Sequence, residues 1–371
     1  MTIENIPQTP AQISSKTALQ SPKIGSINTL RFIAAMMVIF YHYSFTFYHG
    51  DLSYVDIPVL RYLSQYGYLG VDIFFIISGF VIALSAEGRN AYAFFKSRIG
   101  RLYPVFWISA IITTLFLIFG GNLISSEMSL TRFLTNLTMI PTIIWSKETI
   151  DFLDGAYWTL AIEMKFYFVI LLLLVLKQFK RIETFTIPLS LLILLSAVFL
   201  NIKFDSDLIW IPNFIAGVIF YKIYKNGLNT WRIFALINTF IASLIFASNR
   251  LPYLSEGYNA VFKSSIVTLY ILFSYIFFLL ISLNKIKIPN NKYINILGLL
   301  TYPLYLLHQQ IARIIFKYSE IHNIPLFFSF TFILIFIFFI SFLVHKIFER
   351  RGKIILDKTL DKITPKVLKH F

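Results

Sequence analysis

The 371-residue sequence contains no cysteine. Disulfide bonds, thiolate nucleophiles, thiol-linked acyl intermediates and cysteine-type zinc or iron–sulfur sites are therefore excluded. Charge is also scarce, because only 14% of the residues are charged whereas 57% are hydrophobic. A soluble domain has about a quarter charged residues, so too little polar surface remains here to face water. The composition predicts a membrane protein without a large appended globular enzyme. Any chemistry that this protein performs must use His, carboxylate, hydroxyl or Tyr groups.

Long apolar runs, separated by short polar segments, dominate the sequence. A membrane-spanning helix needs about 20 predominantly apolar residues. The runs therefore predict an all-α, polytopic membrane protein with about ten transmembrane helices. The predicted spans are 28–48, 68–86, 102–120, 157–176, 184–202, 208–224, 231–248, 264–283, 293–317 and 325–347.

The distribution of Lys and Arg predicts the orientation of these helices. With a cytoplasmic N-terminus, the segments on the inner side, together with Lys222, Arg232 and Lys346 at the adjoining span ends, carry 23 Lys and Arg residues, and those on the outer side carry 6. Cytoplasmic loops are enriched in these residues, so both termini are expected in the cytoplasm. The same bias accounts for the net charge of +15. No basic stretch has the pattern of a nucleic-acid module, so no nucleic-acid partner is expected.

Three regions divide the chain. Residues 1–26 are polar and rich in Pro, Ser and Gln, which predicts a disordered cytoplasmic tail and not a cleaved signal peptide. Residues 27–348 form the transmembrane domain. Residues 349–371 alternate apolar and Lys side chains at helical spacing, which predicts a basic amphipathic tail on the anionic inner leaflet. In the longest outer loop, residues 133–145 are too short to cross and are expected to be re-entrant or interfacial.

Several ionisable side chains fall inside the predicted spans, where each costs about 2.5–3.5 kcal/mol at the bilayer centre. Lys165 and Arg313 are interpreted as paired groups or as side chains that reach the membrane surface. The remaining ones are Arg31, His42, Asp72, Glu163 and His308. For any one of them alone, a paired structural role stays open as the alternative. Together they form a pattern.

Four of these groups are expected at a similar depth in the outer half of the membrane, namely His42, Asp72, Glu163 and His308. A histidine beside a carboxylate is the arrangement of a general base held by an orienting acid. His42 is therefore the candidate base, and Asp72 and Glu163 are the candidate catalytic carboxylates. Trp158 and His308 are candidate acceptor-binding residues, since aromatic faces stack on sugars and this layer faces outward.

Three arginines are expected near the cytoplasmic surface. Arg98 and Arg101 are three residues apart at the entry of the third span, so their guanidinium groups lie side by side on one helix face. Guanidinium pairs fit phosphate groups, and Arg31 at a similar depth would complete a phosphate pocket. Ordinary positive-inside anchoring is the alternative. The pattern predicts a phosphorylated donor that enters from inside.

Five segments of the sequence resemble, in this order, the motifs of the acyltransferase-3 family of integral membrane O-acyltransferases. They read NTLRFIAAMMVIFYH (28–42), GVDIFFIISGFVI (70–82), FFKSRIGRLYPVFW (94–107), WTLAIEMKFYF (158–168) and TYPLYLLHQ (301–309). The resemblance extends over about residues 27–348.

The resemblance implies transfer of an acyl group, most often acetyl from cytoplasmic acetyl-CoA, to a hydroxyl of an extracytoplasmic or lipid-linked glycan. Such a glycan would be a surface polysaccharide or lipopolysaccharide, and the enzyme would lie in the bacterial inner membrane without a metal. His42 matches the catalytic histidine of the family, and Arg31, Arg98 and Arg101 match arginines for donor binding or catalysis. Glu163 matches a functionally important glutamate.

Some family members end in an SGNH-type domain, for which no room is expected after residue 348. The membrane domain would then complete the transfer itself or pass the acyl group to a separate periplasmic protein. An acyl intermediate on Tyr41, Ser78 or Tyr167 also stays open.

Two other classes of function remain as alternatives. One is a proton-coupled transporter or flippase of a glycan-type solute, in which buried His and carboxylate groups relay protons. The other is a non-catalytic membrane scaffold.

Overall fold

The computed structural model describes residues 24–50, 52–141, 151–200, 202–203 and 206–365. The predicted disordered tail, apart from its last three residues, lies outside the described residues. So do residues 142–145 of the predicted re-entrant segment and residues 366–371 of the basic tail.

Every regular element in the described part of the chain is helical, which confirms the all-α prediction. The first half contains α1 (Gly25–Phe40), α2 (Pro58–Ser64), α3 (Gly70–Ala86), α4 (Ala91–Gly120), α5 (Leu130–Asn136), α6 (Trp158–Val175) and α7 (Ile182–Phe199). The second half contains α8 (Ile211–Asn226), α9 (Thr230–Asn249), α10 (Leu251–Tyr258), α11 (Ser264–Ser282), α12 (Lys292–Leu307), α13 (Gln309–Ile321), α14 (Leu326–Val344) and α15 (Arg350–Ile363).

Eight stretches of the described chain are long and apolar enough to cross a membrane. They coincide with eight of the ten predicted spans, as expected for a polytopic membrane protein. The other two predicted spans correspond to α8 and α12, which have 16 residues each. At 1.5 Å per residue each is about 24 Å long, shorter than the hydrocarbon core of about 30 Å.

The predicted span 293–317 is not one helix, because the chain breaks at His308 between α12 and α13. Side chains bond to the backbone at this break. The Tyr43 hydroxyl donates to the His308 carbonyl oxygen at 2.9 Å, and an Asp154 carboxylate oxygen accepts from the Gln310 backbone N–H at 2.9 Å. These partners satisfy backbone groups that an unbroken helix would satisfy by itself. The prediction of a continuous helix was wrong for this reason.

Two glycines bring α3 and α8 into close backbone contact. A Cβ atom added at Gly79 would overlap the Phe214 carbonyl oxygen and lie 3.0 Å from the Gly217 Cα. A Cβ atom added at Gly217 would in turn overlap the Ile76 carbonyl oxygen. Small residues allow membrane helices to approach in this way. The contact makes α3 and α8 the central pair of the bundle, and α3 contributes a wall to both cavities described below.

The basic side of the bundle is the side at which α1, α4 and α12 begin and α3 and α6 end. The positive-inside rule expects this side to face the cytoplasm. There α15 packs along α4, with an ion pair between Lys96 and Asp361 and with Gly352 against Pro104. The Tyr92 hydroxyl also donates to Asp361 at 2.8 Å. The C-terminal segment is thus helical over its described residues and fastened to α4, while its place on the inner leaflet stays a prediction.

Candidate active site

The histidine predicted as the base lies in an irregular part of the first span. After Phe40, α1 continues as a π-helical segment, Tyr41–Thr46, which carries His42. In this segment the Ser44 hydroxyl donates to the Phe40 carbonyl oxygen at 2.6 Å and the Thr46 hydroxyl donates to the His42 carbonyl oxygen at 3.1 Å. Short π segments occur frequently at functional sites, since they re-aim one side chain without ending the helix.

His42 and His308 are in direct contact. The Nδ1 atom of His42 lies 2.9 Å from the Nε2 atom of His308, and the two ring centroids are 5.0 Å apart. The Nδ1 atom of His308 lies 2.8 Å from the Tyr305 carbonyl oxygen. His308 itself is fully buried. The π segment of α1 and the break after α12 thus bring together two histidines that are 266 residues apart in sequence.

A larger cavity, of about 600 Å³, lies beside this histidine pair. Its lining includes His42, Trp158, Lys165, Trp210, Arg250 and Tyr258. The two indole rings are 5.2 Å apart between centroids, tilted at 41°. Sites of this volume with aromatic walls and a few polar groups are typical for small organic ligands. The cavity therefore has the size for a small organic ligand and the imidazole of His42 on its wall.

A smaller cavity, of about 110 Å³, contains the arginines predicted from the sequence. Its lining includes Arg31, Ser78, Arg98, Arg101, Glu163 and Tyr167. Glu163 accepts hydrogen bonds from the Ser78 hydroxyl at 2.8 Å and from the Tyr167 hydroxyl at 2.7 Å. Arg98 is only 6% exposed, and its Nε atom has no hydrogen-bond partner in the described part of the chain. Three guanidinium groups against one carboxylate make this cavity suited to an anion.

The two cavities adjoin. Val71 on α3 and Tyr305 on α12 line both of them. The Tyr305 hydroxyl is held 3.1 Å from the hydroxyl of Thr159 on α6. Arg31 and Arg98 lie six and seven residues from the first residues of α1 and α4, so about 9–10 Å from the basic side. The cationic cavity is thus nearer the basic side, and the larger cavity follows it along the bundle.

The predicted carboxylates lie apart from the histidine pair. Asp72 accepts two bonds from one Arg250 nitrogen, at 3.1 and 3.2 Å, and one from the Asn213 amide at 3.0 Å. Glu163 lies with the arginines in the smaller cavity. The four ionisable groups expected together are therefore found in separate contacts. His42 contacts a second histidine, His308, and not a carboxylate, and Asp72 neutralises the buried Arg250. Trp158 lines the larger cavity, while its role in acceptor binding stays a prediction. Lys165 is paired with Asp207, which is one of the two roles expected for it.

Asp154 supports the site from the loop before α6. One of its carboxylate oxygens accepts from the Ala156 backbone N–H at 2.9 Å and the other from the Gln310 N–H. It therefore ties the turn that begins α6 to the first turn of α13, beside His308. Burial raises the pKa of Asp154 to about 7, although both backbone hydrogen bonds act in the opposite direction.

Arg250 is a site residue that the sequence reasoning missed. It sits between α9 and α10, in a segment interpreted as an outer loop, but it is 8% exposed and its guanidinium carbon lies 4.5 Å from the Trp210 ring centroid. An arginine in a short polar segment gives no local sign of burial. Its partner Asp72 is 178 residues away in sequence, so the pairing could have been suspected only from the unexplained charge on α3.

The acyltransferase-3 family model, described as an acyltransferase domain, matches residues 24–346 of the chain. The match covers both cavities and the histidine pair. The comparison with curated proteins and the comparison with solved structures each gave no match.

Proposed function

Since this chain belongs to the acyltransferase-3 family and is a multi-pass membrane acyltransferase, we propose that it transfers an acetyl group from cytoplasmic acetyl-CoA to a glycan hydroxyl. The acceptor is an extracytoplasmic or lipid-linked glycan, such as a surface polysaccharide or lipopolysaccharide, and the location is the bacterial inner membrane. The observation that carries this proposal is the pair of adjoining cavities, one cationic and one with a histidine and aromatic walls.

The donor is assigned to the smaller cavity and its approach from the basic side. Arg31, Arg98 and Arg101 supply the positive charge for the CoA phosphates. At about 110 Å³ this cavity is well below the roughly 300–1,000 Å³ typical of pockets that enclose a drug-sized ligand. The nucleotide is too large for it. The phosphates must therefore sit at the mouth of the cavity, and only the thin pantetheine arm runs past Tyr305 toward His42.

The acceptor is assigned to the larger cavity. A volume of about 600 Å³ admits one or two sugar rings. Trp158 and Trp210 offer apolar ring faces against which the carbon faces of a sugar can pack. A hydroxyl of that sugar can then lie against His42, which lines the same cavity.

His42 acts as the general base. It takes the proton from the acceptor hydroxyl while the hydroxyl oxygen attacks the thioester carbonyl carbon. The carbon–sulfur bond breaks, an ester forms, and the CoA thiolate leaves and receives the proton from His42. General-base catalysis of this kind contributes about 10²–10⁴ in rate. Because the two cavities share a wall, direct transfer from donor to acceptor needs no acyl-enzyme and no separate carrier protein.

Two experiments test this proposal. Mass spectrometry of surface polysaccharide from cells with and without the gene should show an acetyl mass that depends on the gene. The purified protein in lipid nanodiscs should release CoA from acetyl-CoA when such a glycan is added, and longer acyl-CoA donors serve as the comparison. An unchanged polysaccharide together with no CoA release would contradict the proposal, and a preference for a longer donor would correct the acyl group.

One observation favours the transporter alternative. The helix pair α12 and α13 is discontinuous at a buried histidine, and broken helices of this kind form solute sites in transporters. Transport predicts proton-coupled movement of a solute into vesicles without consumption of acetyl-CoA. The family membership favours acyl transfer. The nanodisc assay separates the two functions, because nanodiscs hold no proton gradient: an acyltransferase still releases CoA there, whereas a proton-coupled transporter does not.

A further inference from the structure

We propose that His308 is a positioning residue that fixes the tautomer of His42 and leaves its Nε2 atom unprotonated toward the larger cavity. The inference rests on the proposed function, in which His42 is the base. His308 is fully buried and lines neither of the two cavities. It therefore offers no surface to the acceptor, and its role passes through His42 in place of the acceptor binding expected from the sequence.

The proton on His308 is located by its backbone partner. Its Nδ1 atom lies 2.8 Å from the Tyr305 carbonyl oxygen. A carbonyl oxygen can only accept a hydrogen bond. The Nδ1 atom of His308 must therefore carry a proton and donate it to this bond.

The other nitrogen of His308 is unprotonated. A second proton would place a cation at a fully buried position, and the partners that bond to its ring are a carbonyl oxygen and another imidazole, not a carboxylate. Burying an uncompensated charge is costly. His308 is therefore neutral, and its Nε2 atom presents a lone pair to His42.

The tautomer of His42 follows from this lone pair. Its Nδ1 atom lies 2.9 Å from the Nε2 atom of His308 and can form a hydrogen bond there only by donating a proton. A neutral His42 with a proton on Nδ1 has its lone pair on Nε2, at the far edge of the ring. That is the form that can accept a proton from a hydroxyl in the cavity. In a free imidazole side chain either tautomer can form, and here the contact with His308 favours the proton on Nδ1, while the Val38 backbone carbonyl also bonds to the His42 ring.

The same contact stabilises the next state of the reaction. When His42 has taken the proton, its ring is a cation and the Nδ1–H bond to His308 becomes a charge-assisted hydrogen bond, which is stronger than a neutral one. The pair is held in register because Tyr43, next to His42, donates to the His308 carbonyl oxygen. His308 thus does for His42 what a carboxylate does in a catalytic triad, without placing a negative charge in the membrane.

Two variants separate the acceptor function of His308 from its bulk. Both His308→Gln and His308→Met remove the bond to the Tyr305 carbonyl and have similar length, but only Gln has an oxygen that can accept from the His42 Nδ1–H. His308→Met should lower kcat about 10- to 100-fold while KM for donor and acceptor stays within about 2-fold. His308→Gln should keep kcat within about 5-fold of the wild type.

The tautomer can also be measured without turnover. In ¹⁵N-histidine-labelled protein in nanodiscs, the His42 signals are identified among those of the six histidines by their loss in His42→Ala. At a pH at which His42 is neutral, its Nδ1 atom should be protonated and its Nε2 atom bare in the wild type and in His308→Gln. In His308→Met the Nε2-protonated form should appear.

Several results would overturn the inference. A wild-type His42 protonated on Nε2 would do so directly, even if His308→Met failed to fold. Equal loss of kcat in His308→Gln and His308→Met would show that the acceptor atom is irrelevant. A raised KM for the acceptor with unchanged kcat would return His308 to substrate binding. If the wild type cleaves no acetyl-CoA, the proposed function fails, while the spectrum still reports whether His308 sets the tautomer.

Discussion

The two cavities share a wall but differ in almost every property. The smaller one is lined by three guanidinium groups and Glu163 and has room for only a narrow chain, whereas the larger one is about five times as voluminous and has aromatic walls and one histidine, His42. Under the proposed function, the arginines of the smaller cavity bind the CoA phosphates, far from the reacting thioester, and the larger cavity contains the thioester and the acceptor hydroxyl. Binding and chemistry are thereby assigned to different residues, and substitutions in the two cavities should change different kinetic constants.

The largest effect is expected from His42→Ala. Loss of the base should lower kcat about 10²–10⁴-fold with little change in KM for acetyl-CoA, because the donor is held by the other cavity. Steady-state CoA release by the purified protein measures both constants. His322→Ala, an exposed histidine at the end of α13, is the matched control and should behave as the wild type. A His42→Ala enzyme with normal kcat would place the base elsewhere.

A smaller effect of the opposite kind is expected from Arg98→Ala. Hydrogen bonds to charged groups contribute about 1.5–3 kcal/mol, so donor binding should weaken about 10- to 100-fold while kcat at saturating donor changes little. Titration with CoA in nanodiscs measures the affinity. Arg181→Ala, an exposed arginine before α7, controls for the loss of one positive charge. If Arg98→Ala bound CoA as tightly as the wild type, Arg98 would have no role in donor binding and would serve only as a positive charge on the cytoplasmic side.

Substitution of Trp158 should produce a still smaller change, confined to the acceptor. Loss of one aromatic face costs about 0.5–1.5 kcal/mol, so Trp158→Ala should raise KM for the glycan about 2- to 10-fold and leave KM for acetyl-CoA unchanged. Trp231 is 64% exposed and lines neither cavity, which makes Trp231→Ala the matched control. If Trp158→Ala raised KM for acetyl-CoA as much as KM for the glycan, the assignment of donor and acceptor to different cavities would be wrong.

The smallest effect concerns stability and the support of the histidine pair. Because the folded-state pKa of Asp154 is raised to about 7, the folded chain binds one more proton than the unfolded chain between pH 4 and 7. Stability from this group should therefore fall as pH rises through that interval. Thermal unfolding in detergent should show Tm decreasing by about 2–4 °C. The dependence should be lost in Asp154→Asn, and a dependence of the same size in that variant would assign it to another group.

The sequence was informative wherever one local property decides the structure. Long apolar runs gave the helices, because crossing lipid requires about 20 apolar residues whatever the neighbours are. The depth of Arg31 and Arg98 followed from counting residues from the start of each helix, and the structure brings both to the same cavity. Loop charge gave an orientation, which stays a prediction.

The partners of the buried charges could not be predicted from the sequence. The His42–His308 contact depends on a π segment in one helix and a break in another. Pro303 inside α12 is a local sign of irregularity before the break, but the π segment has no local signal stronger than the hydroxyl side chains of Ser44 and Thr46. The same holds for Asp72 and Arg250, whose pairing requires the packing of α3 against the junction of α9 and α10. Equal depth predicts that groups can meet, and only helix rotation and packing decide which of them do.

The glycine contact between α3 and α8 restricts how the enzyme can open. Gly79 and Gly217 leave no slack between these two backbones, so sliding or spreading them would lose contacts along the centre of the bundle. Since Val71 on α3 lines both cavities, we expect the wall that they share on α3 to stay in place when ligands enter or leave. The Thr159–Tyr305 hydroxyl contact joins α6 to α12 where the two cavities adjoin, so a wider passage between the cavities requires these two hydroxyl groups to separate.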